Sequence, residues 1–313
     1  MSEHRILLIE HQAHLCVSLG RLAIRRRESR DVFVLPADIA VLCLHHPEVT
    51  LTVAALQTLA TAGVCVLITD GNHHPLAQFY PQLAPMRLTL RLHQQWQLYN
   101  DGQASGALWQ RIVQTRLAGQ SACLEAMGCK GGLHLRRLAE RVEPGDASHC
   151  EATGARHYWK QLFGAGFNRL KQGATDELNV RLNYGYAVLR ALIARNLACC
   201  GLNGSLAVGH HSQENPFNLA DDLIEPYRFL VEYQTARMWR ATPDAPFDGT
   251  ARKALLNILI QEIPMQTGTW RLPAAIESTV ASWVRMLDAH RAGKALPRLD
   301  LPECTRWASM VGE

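Results

Sequence analysis

The spacing of apolar residues changes near residue 86, and this change limits the fold more than any other feature of the chain. Before it, "RILLIE", "VFVLP", "IAVLCL" and "VCVLITD" are short unbroken runs of Val, Ile and Leu bounded by turn residues, the pattern of strands. Between the last two, "PEVTLTVAALQTLATAG" has helical spacing, with Thr50 as the expected N-cap and Gly63 at its far end. The stretch "GNHHPLAQFYPQLAP" is full of turn formers and reads as a linker. Beyond it, apolar residues recur every three or four positions in "MRLTLRLHQQWQLY", "ALWQRIVQTRLAGQSACLEAMG", "HLRRLAERV", "GARHYWKQLFGAG", "ELNVRLNYGYAVLRALIARNLACC", "NLADDLIEPYRFLVEYQTARMW", "TARKALLNILIQEI" and "IESTVASWVRMLDAHRAG". No strand of comparable quality and no internal repeat stands out there. The expected class is α+β: a small N-terminal β-rich domain over residues 1–85, followed by a larger all-helical domain over residues 86–313.

Composition narrows the function classes without choosing among them. Apolar residues make up 48% and charged residues 19% of the 313, the balance of an ordinary globular protein. A net charge of +4 is compatible with nucleic acid as a partner but does not demand it, so any anion-binding surface must come from local clusters. Nine cysteines without a Cys-x-x-Cys pair argue for reduced, buried thiols rather than disulfides or a thiolate zinc site. The N-terminal apolar run has Glu3 and Glu10 close around it and does not read as a signal peptide. No apolar run approaches the roughly 20 residues of a membrane span. The expectation is a cytoplasmic protein with no membrane partner.

One stretch, "GHHSQENPFNLADDLIEPYR", is chemically unusual. It sets His210 and His211 a few residues before a helix that opens with Asp221 and Asp222 and is broken at Pro226, directly after Glu225. Asn218 is the expected N-cap, with Asp221 three residues on as a capping box. Asp221 and Asp222 also suit the positive end of the helix dipole. Glu225 reads equally as a helix-surface acid and as a metal ligand; one imidazole and one carboxylate could converge on a cation, but a further acid is needed. Glu151, at the front of an amphipathic helix, is the best candidate, though a first-turn acid is also explained by the dipole alone.

The blocks "EATGARHYWKQLFG", "ELNVRLNYGYAVLRALIARNLA" and "GHHSQENPFNLADDLIEPYR" resemble, in order, the three signature blocks of the family of CRISPR-associated protein one, the spacer-acquisition integrase. Upstream, "ALWQRIVQTRLAGQ" is similar to that family's W-x-x-I-V-x-x-K-I-x-x-Q helix, with Arg116 where lysine is common. The N-terminal "HLCVSLGRLAI" and the run from "LPADIA" to "VLITD" are similar to its β domain. "NPFNLADDLIEPYR" looks most like the type II branch, which accompanies single-protein effector nucleases.

The resemblance implies a β dimerisation domain joined to a helical catalytic domain. It also implies a homodimer, two of which flank a dimer of the small CRISPR-associated protein two in a four-plus-two complex, with the effector nuclease as a candidate further partner. It implies one divalent ion, Mg²⁺ or Mn²⁺, held by Glu151, His210 and Glu225. His211 competes with His210 for that place. Asp222 fits a nearby acidic position. Apart from the resemblance, Asn183 in "LNYGYAVLR" reads first as a helix-packing group and second as a support of the site or a lining of the DNA path. The implied activity inserts protospacer DNA into the repeat array by attack of a 3′-hydroxyl on a phosphodiester. Two carboxylates and one imidazole suit that chemistry, being mostly hard donors with one nitrogen that favours Mn²⁺.

DNA also requires distributed cations. Arg156, Lys160, Arg169 and Lys171 follow Glu151, Arg190 lies on the next helix, and Arg136, Arg137 and Arg141 form another basic face. Each of these, taken singly, also reads as a solvated helix charge. Two rivals therefore stand beside the integrase: a metal-dependent nuclease acting on DNA or RNA by hydrolysis, and a non-catalytic DNA-binding scaffold.

Overall fold

The computed structural model describes residues 5–27, 29–69, 75–79, 87–171, 173–243 and 245–311. Its N-terminal part holds β1 (Arg5–Ile9), β2 (His14–Ser18), β3 (Arg21–Arg25), β4 (Val32–Val34), β5 (Ile39–Leu44), β6 (Thr50–Leu51), α1 (Val53–Thr61), β7 (Cys65–Thr69) and β8 (Pro75–Phe79). These make two sheets, ordered β1-β5-β7-β8 and β4-β3-β2-β6. β1, β5 and β7 run parallel, and β8 closes the edge antiparallel to β7.

The unbroken apolar runs have a structural reason: strands β5 and β7 are covered on both faces. Leu42, Leu44 and Val66 point into a core with Leu15, Leu22 and Leu59. Their neighbours Val41, Cys43, Cys65 and Leu67 join the core of the helical part instead. Alternation along each strand thus divides it between two cores.

The helical part comprises α2 (Leu88–Asn100), α3 (Gly102–Ala126), α4 (Gly132–Glu140), α5 (Cys150–Phe163), α6 (Glu177–Cys199), α7 (Asn218–Ile224), α8 (Arg228–Ala241), α9 (Gly249–Leu256), the hairpin of β9 (Glu262–Met265) and β10 (Gly268–Arg271), α10 (Leu272–Arg291) and α11 (Cys304–Val311). α3 is the central post, packed against α4, α5, α8 and α11. α6 joins the two parts: Tyr184 meets the His45 ring nitrogen at 3.2 Å, and Arg195 donates to the Gly63 carbonyl. An ion pair at 2.8 Å between the buried Arg252 and the half-buried Glu10 adds a second tie.

The α+β order is as expected, with several local corrections. β2 and β3 form a hairpin whose turn, Leu19-Gly20, has positive φ at both residues (49° and 72°), the geometry of the tight hairpin turn. Part of the expected linker is an edge strand that starts at Pro75, the first-residue, edge-strand place where sheets tolerate proline. Thr52, not Thr50, caps α1, its side chain accepting from the Ala55 amide at 3.1 Å; Thr50 belongs to β6. The helical part contains the β9–β10 hairpin, so it is not all-helical. The expected boundary at residues 85/86 lies outside the described residues.

Candidate active site

Three elements converge where α3, α5 and the break between α7 and α8 meet. α5 starts at Cys150 because Asp146, buried, accepts the Cys150 amide at 2.8 Å and the Glu151 amide at 3.1 Å, standing in for a side-chain cap. Glu151 is the first-turn acid, with 27% of its side chain exposed. Gly154 lets α5 approach α3: a β-carbon there would strike the Leu117 side chain. The neighbouring Arg116 of α3 is thereby brought to Glu151, with 3.4 Å between guanidinium and carboxylate.

Glu225 reaches the same guanidinium from the other side. Pro226 stops α7 at Ile224, and Glu225–Tyr227 form a single tight turn before α8 begins. The Glu225 carboxylate is 3% exposed. One oxygen pairs with Arg116, and the other accepts from Arg228 at 2.9 Å. Burial lowers the pKa of the Arg116 guanidinium, the charge of Arg228 adds to that effect, and Glu151 and Glu232 oppose it.

His210 is held by Asp222. That carboxylate, fully buried, accepts the Val208, Gly209 and His210 amides at 2.7, 3.0 and 2.9 Å. It also meets Nδ1 of His210 at 2.8 Å. An ionised carboxylate can only accept, so the ring donates Nδ1–H to it, and Nε2 is left with the free lone pair. The ring stands edge-on to Trp109 of α3, 5.6 Å between centroids. Gly209 leaves room for this, since a β-carbon there would overlap the Trp109 ring. His211 faces away, edge-on to Tyr99 of α2 at 5.5 Å.

The capping expectation for Asn218 is corrected. Its side chain donates to the Ser205 and Ser212 carbonyls, and Phe217 occupies the cap position. Asp221 accepts from Asn215 at 2.7 Å instead of closing a capping box.

The basic candidates divide by what they touch. Arg156 and Lys160 are exposed on α5. Arg169 is spent on α6, donating to Asn179 at 2.9 Å and Asn183 at 2.6 Å, with its guanidinium 5.3 Å from the Tyr186 ring centre. Asn183 therefore ties down the loop that follows α5. Lys171, on that loop, has its pKa lowered by burial and then by Arg228 and Arg116, while Glu151 opposes the shift. Arg190 lies over Phe217 at 5.3 Å and stands 3.8 Å from Asp221. On the other face, Arg136 pairs with Glu125 at 2.8 Å.

The sequence reading missed Arg228, Glu232 and Trp109. Glu232 had a signal that was available: a lone acid between Phe229, Leu230, Val231 and Tyr233 must be either partnered or functional. Trp109 falls seven residues before Arg116, on the same face of α3, but nothing local ties it to His210.

Glu151 and Glu225 are thus gathered on one cation, which here is a guanidinium. Among the described residues, no three His, Cys, Asp or Glu side chains are grouped closely enough to hold a metal ion. The donor types nevertheless fit a divalent ion: two carboxylates and an imidazole whose free nitrogen is set by its partner.

Comparison with known proteins identifies the family of the chain. The family described as CRISPR associated protein Cas1 matches residues 6–242. A CRISPR-associated endonuclease Cas1 of Neisseria meningitidis serogroup C is 32% identical over 307 residues, 96% of each chain. Among solved structures, a casposase bound to integration product superposes with a TM-score of 0.77 at 19% identity, covering 91% of both chains. A Cas6-RT-Cas1–Cas2 complex matches with a TM-score of 0.72 at 17% identity, over 94% of this chain and 36% of that one. The signature blocks, the two-part fold and a relative matched over nearly the whole length agree: this chain belongs to the Cas1 family.

Proposed function

We propose that this protein is a metal-dependent DNA integrase of CRISPR adaptation. The observation that carries the reading is the convergence of Glu151 and Glu225, from separate elements, on a single cationic group in a basic surround. Glu151, Glu225 and Nε2 of His210 are the proposed ligands of one Mg²⁺ or Mn²⁺. A divalent cation held there would stabilise negative charge on the phosphoryl group and acidify the attacking hydroxyl.

The reaction is a transesterification. The 3′-oxygen of a protospacer end bonds to a phosphorus of the repeat, the bond from that phosphorus to the repeat's own 3′-oxygen breaks, and the attacking hydroxyl's proton ends on the leaving oxygen. Asp222 keeps the His210 ring in the tautomer that presents Nε2. Arg156, Lys160 and Lys171 are proposed phosphate contacts. Arg169 and Arg190, already engaged by neighbours, fit structural roles better.

DNA and the small protein Cas2 are the proposed partners, with the chain acting as a homodimer in a four-plus-two assembly. The names of the casposase product complex and the Cas1–Cas2 complex support DNA and Cas2 as partners, and the four-plus-two stoichiometry is part of the proposal alone. The neisserial relative supports the type II branch. No helix among the described residues is long and apolar enough to cross a membrane.

The test combines the protein, its Cas2 partner, a supercoiled plasmid carrying the repeat, a short duplex with free 3′-hydroxyls, and Mn²⁺. Covalent joining that disappears in Glu151→Ala, His210→Ala and Glu225→Ala is the expected result. Cleavage without joining would favour a nuclease. Joining that survives all three substitutions would refute the site.

A further inference from the structure

The buried acid Glu232 sits on α8 two turns beyond Glu225, and the reaction scheme above gives it no task. It is fully buried, which an acid tolerates only with strong partners. Its Oε1 accepts a 2.6 Å hydrogen bond from the Tyr186 hydroxyl. The Tyr186 ring in turn carries the Arg228 guanidinium, 4.1 Å from its centroid. Arg228 donates to Glu225 at 2.9 Å. An unbroken path therefore runs from Glu232 through Tyr186 and Arg228 to the proposed metal ligand.

Each link has a direction. A phenol that donates to a carboxylate gains electron density in its ring, which strengthens the attraction of the ring face for a cation. Burial and Glu232 both raise the pKa of the Tyr186 hydroxyl, so it stays protonated and keeps donating. The charge of Glu232 is also felt at Arg116. Two guanidiniums, the buried Arg116 and the half-buried Arg228, thus hold the two oxygens of Glu225, and Glu232 is the negative charge placed behind them. If Glu225 turns from the arginines to a divalent ion, Arg228 loses its carboxylate partner. A largely desolvated cation left that way is costly unless a second anion holds it.

We infer that Glu232 is a positioning residue that acts through Tyr186: it retains Arg228 on the Tyr186 ring and so lets Glu225 exchange an arginine for the divalent ion. This inference rests on the assignment of Glu225 as a metal ligand. Glu232→Gln keeps the shape and an acceptor for Tyr186 but removes the charge, so Arg228 should grip Glu225 harder. Tyr186→Phe cuts the path and should act in the same direction.

The experiment measures binding of Mn²⁺ alone to the metal-stripped full-length protein, by the loss of the free-ion electron paramagnetic resonance signal. Wild type is expected to show a site that Glu225→Ala removes. Glu232→Gln is expected to weaken that site about tenfold, and Tyr186→Phe by a smaller factor. The discriminating variant adds Arg228→Gln to Glu232→Gln. With the competing guanidinium gone, Mn²⁺ binding should recover towards wild type, whereas a purely structural defect would deepen. Absence of any Mn²⁺ site in wild type, or a site untouched by Glu225→Ala, would overturn the metal assignment and this inference with it. A site lost in Glu225→Ala yet unchanged in both Glu232→Gln and Tyr186→Phe would overturn the inference alone. So would a double variant that binds more weakly than Glu232→Gln.

Discussion

Asp222 supports the sharpest prediction about stability and site geometry together. Its carboxylate is fully buried and holds four donors: three successive backbone amides and the Nδ1–H of His210. A hydrogen bond to a charged acceptor contributes about 1.5–3 kcal/mol, and stranding a buried donor costs about 1–3 kcal/mol. The four share one acceptor and move together, so the terms do not add. Asp222→Ala is expected to cost about 3–5 kcal/mol, the range for removing one partner of a buried charged interaction. Asp222→Asn keeps the volume but turns an amide group towards donors, and is expected to cost about 2 kcal/mol. Urea unfolding followed by far-ultraviolet circular dichroism measures both, as a shift in midpoint at unchanged slope. The ¹⁵N shifts of the His210 ring report the second half of the argument: wild type should show the Nδ1–H tautomer, and Asp222→Asn should lose that preference. A cost below about 1 kcal/mol for Asp222→Ala, set against the charged-acceptor contribution, would refute the reasoning. So would an unchanged His210 tautomer in Asp222→Asn.

Three further outcomes follow from other parts of the molecule. Gly209→Ala should push its β-carbon into the Trp109 ring, displacing the His210 loop at a cost of about 1–3 kcal/mol and lowering strand joining more than DNA binding; equal losses in gel-based joining and binding assays would contradict this. Asp101 caps α3 and meets His290 at 3.0 Å, and that hydrogen bond, with the Ala104 amide, holds its carboxyl below the ordinary 3.8. Its contribution is therefore complete above about pH 4 and lost as pH falls through the lower folded value, so Asp101→Ala should be less stable than wild type at pH 7 and converge with it in acid urea titrations. Of the nine cysteines, Cys43, Cys65, Cys123, Cys150 and Cys304 are buried, with burial pushing Cys65 and Cys304 up to about 12; a thiol reagent should modify no more than the remaining four in the native protein and all nine in denaturant.

The kink at Glu225–Pro226 was legible in the chain because an acid beside a helix break in an apolar stretch is locally unusual. Glu151, a first-turn acid, and the His210–His211 pair break no local rule and gained meaning only together with it. The ordered signature blocks then gave them a common setting. What could not be read was which partner each would choose. Asp222 was placed near the site by resemblance, but its four donors come from a loop whose path is set by the Trp109 ring. Asn218 had the right type and place for a cap, yet its amide was claimed by two loop carbonyls. Arg169 looked like one more free cation in a basic run, and is bound instead by two asparagines of α6.

The sequence by itself determined the division into a β-rich and a largely helical part, since strand and helix periods are properties of neighbouring residues. It also determined the break between α7 and α8, because proline lacks an amide donor wherever it stands. Only the tertiary structure decided the division of β5 and β7 between two cores, the sharing of Arg116 by Glu151 and Glu225, and the path from Glu232 through Tyr186 to Arg228. These are pairings between residues far apart in the chain, and they arise from packing of α3, α5, α6 and α8. Burial, moreover, sets the strength of each charge, and no local pattern fixes how deeply a side chain will lie.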